Sequence, residues 1–446
     1  MKKNNTDMLS GSITKGLLSM TIPIMIMNVA QSLFNIADTA ILKAFGYETA
    51  VGAVGVCSSL IVLCTSLLIG ISAGANVVIA RRIGAAKNNI ANKAAMTAIL
   101  LAVITGILLM VIGAVFAESF LKMINCPKTL LHDATSYFRI YFYSIPSLLL
   151  YNFCASILRA TGDTRRPMYF LIIGCITKII FTVIFLKTFR KAVESVAIAS
   201  ILSNTVACIL SFVTLAGRND IIKLDFRHIC FDITELKAIL YNGIPAGLQS
   251  ALYSFANVII TTAVNSFGAA ATTGISIANQ YDGILYQISY APSLATIPYI
   301  AQNMGAGNIK RVKKTILRSV LITIVFGASL GSLSAIFSRE LSYLMTSSAE
   351  VVKYSQQKMM LISSTYFICG INEVLGGTLK GMGKPIPPVI TSLIYMCVLR
   401  FVWVYAIFPL IPNLTFLYTV WPVGWTLSII TLLIVYSVKI SKIKQQ

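Results

Sequence analysis

The chain repeats a sparse pattern of residues at half its own length. The first occurrence comprises Pro23, Ser32, Asn35, Phe45, Gly46 and Gly52, and the same residue types return 222 positions later as Pro245, Ser254, Asn257, Phe267, Gly268 and Gly274. Further along the offset becomes 221, with Ala80, Gly84 and Ala85 matched by Ala301, Gly305 and Ala306. One insertion or deletion explains the change of offset. Because the chain is 57% hydrophobic, the repeat predicts two similar membrane lobes, and substrate sites of such proteins tend to lie between the lobes.

The composition predicts an all-α polytopic membrane protein. The mean hydropathy is +0.81 and only 11% of the residues are charged, which argues against a soluble domain. Twelve apolar segments are long enough to cross a bilayer. They lie approximately at 17–42, 50–80, 94–116, 136–158, 167–187, 193–215, 238–265, 273–302, 316–337, 357–379, 387–409 and 415–438. We therefore expect twelve transmembrane helices in two pseudo-symmetric six-helix lobes.

The order of these spans predicts the domain organisation. Residues 1–215 form a first lobe, residues 216–237 a polar cytoplasmic linker with amphipathic character, and residues 238–446 a second lobe. An even number of spans returns the chain to its starting side, so the two halves are predicted to be parallel repeats. Pro23 and Pro245 fall at equivalent places in the first span of each half, where proline bends a helix.

The net charge of +21 is explained by topology rather than by nucleic acid. Most Lys and Arg residues fall in loops on the side of the N-terminus, while a smaller set, in which we place Lys358, falls in loops of the other side. This bias predicts a multi-pass protein of the cell (inner) membrane with both termini in the cytoplasm. We expect a monomer in the lipid bilayer and no nucleic-acid partner.

Cysteine and histidine usage gives no reason to expect a metal site. Most of the nine cysteines fall within predicted spans, and His132 and His228 fall on opposite sides of the membrane. No glycine-rich phosphate loop or nucleophile triad is visible in the sequence. We therefore expect neither an enzyme nor a cofactor, and an ion gradient, of H⁺ or Na⁺, as the energy source.

Ionisable residues inside spans are rare, costly and usually functional. The predicted spans contain five candidates, namely Asp38, Lys178, Asp282, Glu373 and Arg400. The first span also carries Asn28, Gln31 and Asn35, which with Asp38 fit within an arc of about 80° on one helix face. A buried carboxylate that gains a proton from one side and loses it to the other can couple transport to a proton gradient, so Asp38 is the strongest candidate.

The second half carries a comparable polar stripe. Its members are Tyr253 and Asn257 in the seventh span and Asn279, Asp282, Tyr286 and Tyr290 in the eighth. Tyrosines beside carboxylates can hold an organic cation through cation–π contact and charge. The alternative for the amides and hydroxyls is interhelical hydrogen bonding without a substrate.

Several stretches in a fixed order resemble multidrug and toxic compound extrusion (MATE) transporters, particularly those of the Firmicute type. The matching stretches are IPIMIMNVAQSLFNIADTAI near residue 22, LRATGDTRRP near 158, NGIPAGLQSALYSFANVIITTAVNSFG near 242, IAQNMGAGN near 300 and INEVLGGTLKGMG near 371. The resemblance covers essentially the whole chain. It implies alternating-access export of amphipathic, cationic organic compounds, with Asp38 as a coupling residue.

The fifth span departs from the family pattern. The family commonly has Asn-x-x-x-Asp or Asn-x-x-x-Asn there, whereas this chain has Lys178 and Thr182, and the hydroxyl position of the sixth span is filled by Ser200. An ammonium beside Asp38 argues against Na⁺ and favours H⁺ as the coupling ion. The Lys178–Asp38 pair either exchanges protons or is a locked structural ion pair, and the sequence leaves both readings open.

The second lobe offers another coupling site or a buried ion network. Glu373 matches the related branch, and Asp282 falls where those relatives often carry Glu. The alternative for Arg400 is simple neutralisation of Glu373 or Asp282. A flippase for a lipid-linked precursor is the second functional hypothesis, and a non-transporting membrane protein is the third. Three carboxylates against two cations in the spans argue against an anionic headgroup as substrate.

Overall fold

The computed structural model describes residues 6–189, 191–218, 221–224 and 230–444, and these contain helices and no strand. The helices of the first half are α1 (Ile13–Ala44), α2 (Glu48–Gly84), α3 (Asn88–Val115), α4 (Ala117–Met123), α5 (Lys128–Phe142), α6 (Ile145–Ala160), α7 (Arg165–Phe189) and α8 (Ala192–Ala216).

The second half repeats this order. Its helices are α9 (Ile233–Asn265), α10 (Ala269–Gly305), α11 (Ile309–Ile336), α12 (Ser338–Tyr343), α13 (Ala349–Ser364), α14 (Tyr366–Gly381), α15 (Ile386–Ser392), α16 (Leu399–Val402), α17 (Leu414–Tyr418) and α18 (Val420–Lys444). Two π-helical segments, Leu393–Val398 and Trp403–Ile407, lie on either side of α16. A short 3₁₀ turn, Phe408–Leu410, completes this region.

All twelve predicted spans coincide with helical segments. Within the described residues, eight helices are long and apolar enough to cross a membrane, and two further spans are helix pairs bent by 47°, α5 with α6 and α13 with α14. The long helices α9 and α10 coincide with the seventh and eighth predicted spans, although they are less apolar than these eight. The fourth span was predicted as one helix over 136–158. In the structure it begins earlier, at Lys128, and is broken before Pro146, because the proline ring cannot continue the preceding turn.

The chain forms two compact units that exchange the beginnings of two helices. The first unit comprises Met1–Thr6 and Ile26–Gly247, and the second comprises Asp7–Met25 and Leu248–Gln446. The start of α1 therefore belongs to the second unit, and the start of α9 belongs to the first. The predicted boundaries at 215 and 238 do not anticipate this exchange, since they follow the order of the spans along the chain.

Inside the first unit, α2 and the start of α9 cross at a very short distance. A Cβ atom on Gly70 would lie 2.2 Å from the backbone nitrogen of Gly247, and one on Gly74 would lie 2.5 Å from that of Gly243. In each helix the two glycines are four residues apart and so share one face. This Gly-x-x-x-Gly pairing lets the two backbones touch, as in close helix crossings of membrane proteins.

The described linker residues between α8 and α9 lie against the same unit and are not helical. The backbone N–H of Lys223 donates to Asn92 Oδ1 at 3.0 Å, and that of Asp232 donates to Thr97 Oγ1 at 3.0 Å. Asp232 Oδ1 accepts from the N–H groups of Thr234 and Glu235, which caps the start of α9. The helix α9 begins at Ile233, within the predicted linker 216–237.

Candidate functional site

The first unit brings Asp38 and Lys178 together, as their positions in the sequence predicted. The Lys178 Nζ donates to Asp38 Oδ2 and forms an ion pair between α1 and α7. Asp38 is 6% exposed, and its other oxygen, Oδ1, is buried without a hydrogen-bond partner in the described residues. One oxygen of the carboxylate thus remains able to accept a proton.

Two tyrosines of α5 complete this site, and the sequence did not single them out. Tyr137 and Tyr141 lie one turn apart with ring centroids at 5.8 Å. Both interact electrostatically with Asp38, and Tyr141 also interacts with Lys178. Their i, i+4 spacing on a helix was the available signal, but the fourth predicted span, 136–158, gave no indication of which face met α1.

The other predicted groups of this half differ in exposure. Asn28 is buried, with an amide nitrogen that has no partner in the described residues, whereas Gln31 is exposed. The side chain of Asn35 lies outside the described residues. Thr182, one turn beyond Lys178, is fully buried, and its hydroxyl has no hydrogen-bond partner among the described residues. The Ser200 hydroxyl donates to the Val196 carbonyl of its own helix at 2.9 Å.

The second unit contains another buried ion pair, and the sequence analysis misplaced one of its two members. Lys358 was expected in an outer loop, but it lies in α13, is 2% exposed and approaches Asp282 Oδ2 of α10 at 2.8 Å. Its Nζ also donates to Asn279 Oδ1. The error has a simple cause: the tenth span was predicted to begin only at 357, so Lys358 stood at its edge and was counted with the outer loop, whereas the helix starts at Ala349. Asp282 Oδ1 is buried without a partner in the described residues.

Arg400 neutralises neither of the carboxylates that the sequence offered as partners. The guanidinium is 4% exposed and donates to Asn257 Oδ1 at 2.8 Å, with no ion pair to Glu373 or Asp282 in the described part of the chain. Its Cζ lies 5.0 Å from the Trp421 ring centroid, and Lys358 Nζ lies 5.7 Å from the same centroid. Trp421 therefore stabilises both cations through its π face. The short α-helical turn that carries Arg400 is flanked by the two π segments, a geometry frequent at functional sites.

Glu373 belongs to a separate hydrogen-bonded network. Tyr253 O–H donates to Glu373 Oε1 at 3.0 Å, and Tyr286 also bonds to this carboxylate. Gln249 Nε2 donates to the hydroxyls of Tyr253 and Ser392 at 3.2 and 2.7 Å, respectively. No described cation forms a direct ion pair with Glu373; Lys380, two turns further along α14, acts on it at longer range.

An aromatic surface beside Glu373 extends from Tyr286 to Tyr290. The two rings are stacked, with centroids 5.6 Å apart and an interplanar angle of 10°. The predicted eighth-span residues thus divide into two groups: Asn279 and Asp282 meet Lys358, while Tyr286 and Tyr290 extend from Glu373.

With Lys358 included, the charged candidates within the spans comprise three acids and three bases. The acids are Asp38, Asp282 and Glu373, and the bases are Lys178, Lys358 and Arg400. The predicted excess of carboxylates is therefore wrong. Among the described residues no group of His, Cys, Asp and Glu has the geometry to hold a metal ion.

Twelve helical spans, a half-length repeat and buried ion pairs define a multi-pass membrane transporter. A family model, MatE, matches residues 23–184 and again residues 245–406. The chain therefore belongs to the MATE family, whose members are transporters and not enzymes. The double match also confirms the internal repeat.

Individual relatives agree with this assignment. The chain is 26% identical over 393 residues to the probable multidrug resistance protein YoeA of Bacillus subtilis, with 86% of this chain and 84% of that protein covered. It is 25% identical over 399 residues to an FAD transporter of Shewanella oneidensis, with 88% and 87% covered. A solved MOP-superfamily transporter from Pyrococcus furiosus shares the fold, with a TM-score of 0.92, 20% identity and 100% of both chains covered.

Proposed function

We propose that this protein is an antiporter that exports amphipathic, cationic organic compounds in exchange for H⁺, with Na⁺ as the alternative coupling ion. It works by alternating access as a monomer in the cell membrane, with both termini in the cytoplasm. The similarity to probable multidrug resistance proteins of Bacillus subtilis supports the export of organic compounds.

The ion pair between Asp38 and Lys178 is the observation that carries the proposal. A proton bound at the bare Oδ1 of Asp38 neutralises the carboxylate and releases its hold on the Lys178 ammonium. The packing of α1 against α7 then loses an electrostatic contact. A coupling ion shifts the equilibrium between two conformations only if it binds one of them more tightly, and an ion pair that differs between the conformations supplies that difference.

The same ion pair favours H⁺ over Na⁺. The Lys178 ammonium occupies the position beside Asp38 at which a metal cation would otherwise be coordinated. Na⁺ binding would need a displaced ammonium or a neutral lysine, and both cost free energy in a buried site. A proton needs neither, because it adds directly to the carboxylate.

Glu373 and the stacked tyrosines support an organic cation as substrate. Glu373 receives a hydrogen bond from Tyr253 rather than a direct ion pair, so its charge remains available to a cationic group. The Tyr286–Tyr290 stack offers an apolar aromatic surface next to it. The six charged candidates within the spans are three acids and three bases, so their net charge does not favour a cationic over an anionic substrate. Because the chain is similar to an FAD transporter, FAD is the anionic compound to compare with the dye cation.

The test is transport by the purified protein in liposomes. Uptake of a fluorescent dye cation and of FAD would be followed under an imposed proton gradient and, separately, under an imposed sodium gradient. The variant is Asp38→Asn, which keeps the shape of the side chain but cannot exchange a proton. The matched control is Glu350→Gln, which removes an exposed carboxylate at the start of α13.

We expect dye flux under the proton gradient in the native protein and in Glu350→Gln, and none in Asp38→Asn. Flux driven only by sodium would refute H⁺ coupling and move the coupling site to the second unit. FAD flux without dye flux would refute the cationic substrate. If neither compound moves, reconstitution with a fluorescent lipid pyrophosphate distinguishes the flippase alternative from a protein that does not transport.

A further inference from the structure

Within the second unit, a basic cavity lies where the start of α1 meets the start of α11. Its volume is about 640 Å³. We propose that this cavity binds the phosphate of an anionic phospholipid headgroup from the leaflet on the side of the N-terminus. The residues that carry the proposal are Lys310, Lys314, Arg318 and Leu317 of α11 and Ile13 and Thr14 of α1, all of which line the cavity.

One wall of the cavity is held in place by Arg311. Its guanidinium donates to the carbonyl oxygens of Met8, Ser10 and Gly11 at 3.0, 2.5 and 3.1 Å, and so fixes the turn that precedes α1. Asn303 Nδ2 donates to the Met8 carbonyl as well, at 3.0 Å. The cavity is therefore a built feature in which the first turn of α1 is held beside α11.

The cations of α11 are available to a ligand. Lys310, Lys314 and Arg318 are four residues apart and so share one face of the helix. All three are exposed, and none has a carboxylate partner in the part of the chain that the structure describes. Asp7, which precedes this wall, accepts hydrogen bonds from the backbone N–H and the hydroxyl of Ser10.

The start of α1 adds backbone donors to these charges. The first bond within this helix runs from Gly16 N–H to the Ser12 carbonyl, so the N–H groups of Ile13 and Thr14 precede it and need partners from elsewhere. N–H groups at a helix start favour an anion, and here they line the same cavity as the three cations. A phosphate oxygen satisfies both.

An apolar stripe continues from the cations along α11 and points to a lipid. Leu317 is 60% exposed, Leu321 44% and Val325 61%, and they follow Lys314 at spacings of three, four and four residues. They therefore form one continuous face with the cationic end. A phospholipid matches this order, with its headgroup phosphate at the cations and its acyl chain along the stripe. Basic pockets at the membrane surface recognise anionic headgroups in this way.

The first repeat shows that the fold does not require this cluster. The positions equivalent to Lys310, Arg311, Lys314 and Arg318, 221 residues earlier, hold Asn89, Ile90, Lys93 and Thr97. There the linker covers the helix: Asp232 N–H donates to Thr97, which is fully buried. In the second repeat the equivalent face of α11 is exposed in the described part of the chain, and it carries two more cations where it lines the cavity.

The test compares lipid binding by the full-length purified protein in native mass spectrometry. Phosphatidylglycerol and phosphatidylcholine are added in turn, because they share the phosphate and the tails but differ in net charge. The test variant is Lys310→Gln/Lys314→Gln. The control is Lys93→Gln/Lys313→Gln, which removes two exposed cations from the same predicted side of the membrane but outside the cavity.

We expect the test variant to lose about 25-fold in affinity for phosphatidylglycerol, from about fivefold for each cation, and the control to lose less than about twofold. The single variant Arg318→Gln should lose about fivefold and guards against misfolding of the double variant.

Equal affinity of the native protein for both lipids, or an equal loss in the control, would overturn the proposal. Inorganic phosphate at millimolar concentration distinguishes the source of the phosphate. Its failure to displace phosphatidylglycerol supports the lipid, and full displacement would mean that the cavity holds the free anion instead.

Discussion

The two repeats share one scaffold, but different contacts hold the start of α9 in the first unit and the start of α1 in the second. In the first unit, Arg82 forms an ion pair at 2.8 Å with Glu235 in the first turn of α9. The equivalent residue of the second unit, 221 positions later, is Asn303, which donates to the Met8 carbonyl just before α1. The position of the anchor is therefore retained while its chemistry has changed from charge to neutral amide.

The buried ion pairs show the same divergence. Tyr137 and Lys358 are equivalent residues of α5 and α13, and each lies beside a buried carboxylate of its own unit. The carboxylate, however, comes from α1 in the first unit, as Asp38, and from α10 in the second, as Asp282. The same position of the bent helix pair therefore lies beside a carboxylate in both units, but a different helix supplies that carboxylate in each unit. Because the Lys358 side chain is 3% exposed and that of Lys178 is 17% exposed, we expect removal of the lysine to cost more free energy of unfolding in the second unit.

The largest expected effect is that of Lys358→Ala. Removal of the ammonium leaves Asp282 buried without a counter-ion, which costs about 3–5 kcal/mol of unfolding free energy. Lys178→Ala should cost less, since the Lys178 side chain is 17% exposed against 3% for Lys358. Thermal unfolding in detergent measures both.

The control for this prediction is Lys353→Ala, an exposed lysine of the same helix. The double variant Lys358→Met/Asp282→Leu should recover most of the loss, because an apolar pair of similar volume removes the buried charge altogether. A Lys358→Ala protein as stable as the native one would contradict the ranking of the two units.

A smaller effect is expected at the Gly-x-x-x-Gly crossing of α2 and α9. In Gly74→Ala the new Cβ would lie 2.4 Å from the Ile239 carbonyl oxygen, so the two backbones must separate, at a cost of about 1–3 kcal/mol. Gly55→Ala in the same helix is the control, because nothing lies within 4 Å of the added atom. It should be neutral or stabilising by up to about 1 kcal/mol. Equal unfolding temperatures of the two variants would refute a tight crossing.

The two anchors should differ in their response to salt. Glu235→Gln removes the ion pair with the partly exposed Arg82 and should cost about 1 kcal/mol at low salt. Asn303→Ala removes a neutral hydrogen bond and should cost a similar free energy of unfolding. High ionic strength should reduce the loss of unfolding free energy caused by Glu235→Gln and leave the loss caused by Asn303→Ala unchanged. Thermal unfolding at low and high salt measures both losses. The opposite response would show that charge does not distinguish the anchors.

The smallest effect concerns Asp7, in the turn before α1. Hydrogen bonds from Ser10 hold the pKa of this carboxyl below its usual value of 3.8. Its stabilisation is therefore present above that value and is lost as the pH falls through the lower folded-state pKa. Because Asp7 is mostly exposed, Asp7→Asn should cost at most a few tenths of a kcal/mol at about pH 7.

The loss of unfolding free energy caused by Asp7→Asn should become smaller as the pH is lowered to about 3, because the native carboxyl then also becomes neutral. Paired thermal scans of the native and variant proteins at the two pH values measure this change. A deficit that grows on acidification would contradict the assigned direction of the pKa.

The sequence predicted the parts of the site that depend on one helix at a time. Asp38, Lys178, Glu373 and Arg400 were identified because a charge inside an apolar span is conspicuous on its own. Lys358 was missed because its charge stands at the edge of a span, where hydropathy cannot distinguish a loop from the first turns of a helix. The partner of Arg400 was also missed, since Asn257 lies 143 residues away in the chain.

The sequence by itself determined the twelve spans, the internal repeat and every charged candidate within the spans except Lys358. These follow from hydropathy, segment length and residue identity, which are local properties of the chain. The tertiary structure decided which charges pair, which unit receives the starts of α1 and α9, and where the cations of α11 border a cavity. These depend on contacts between helices far apart in the chain, and equivalent residues of the two repeats, such as Thr97 and Arg318, acquire different surroundings only when the chain is folded.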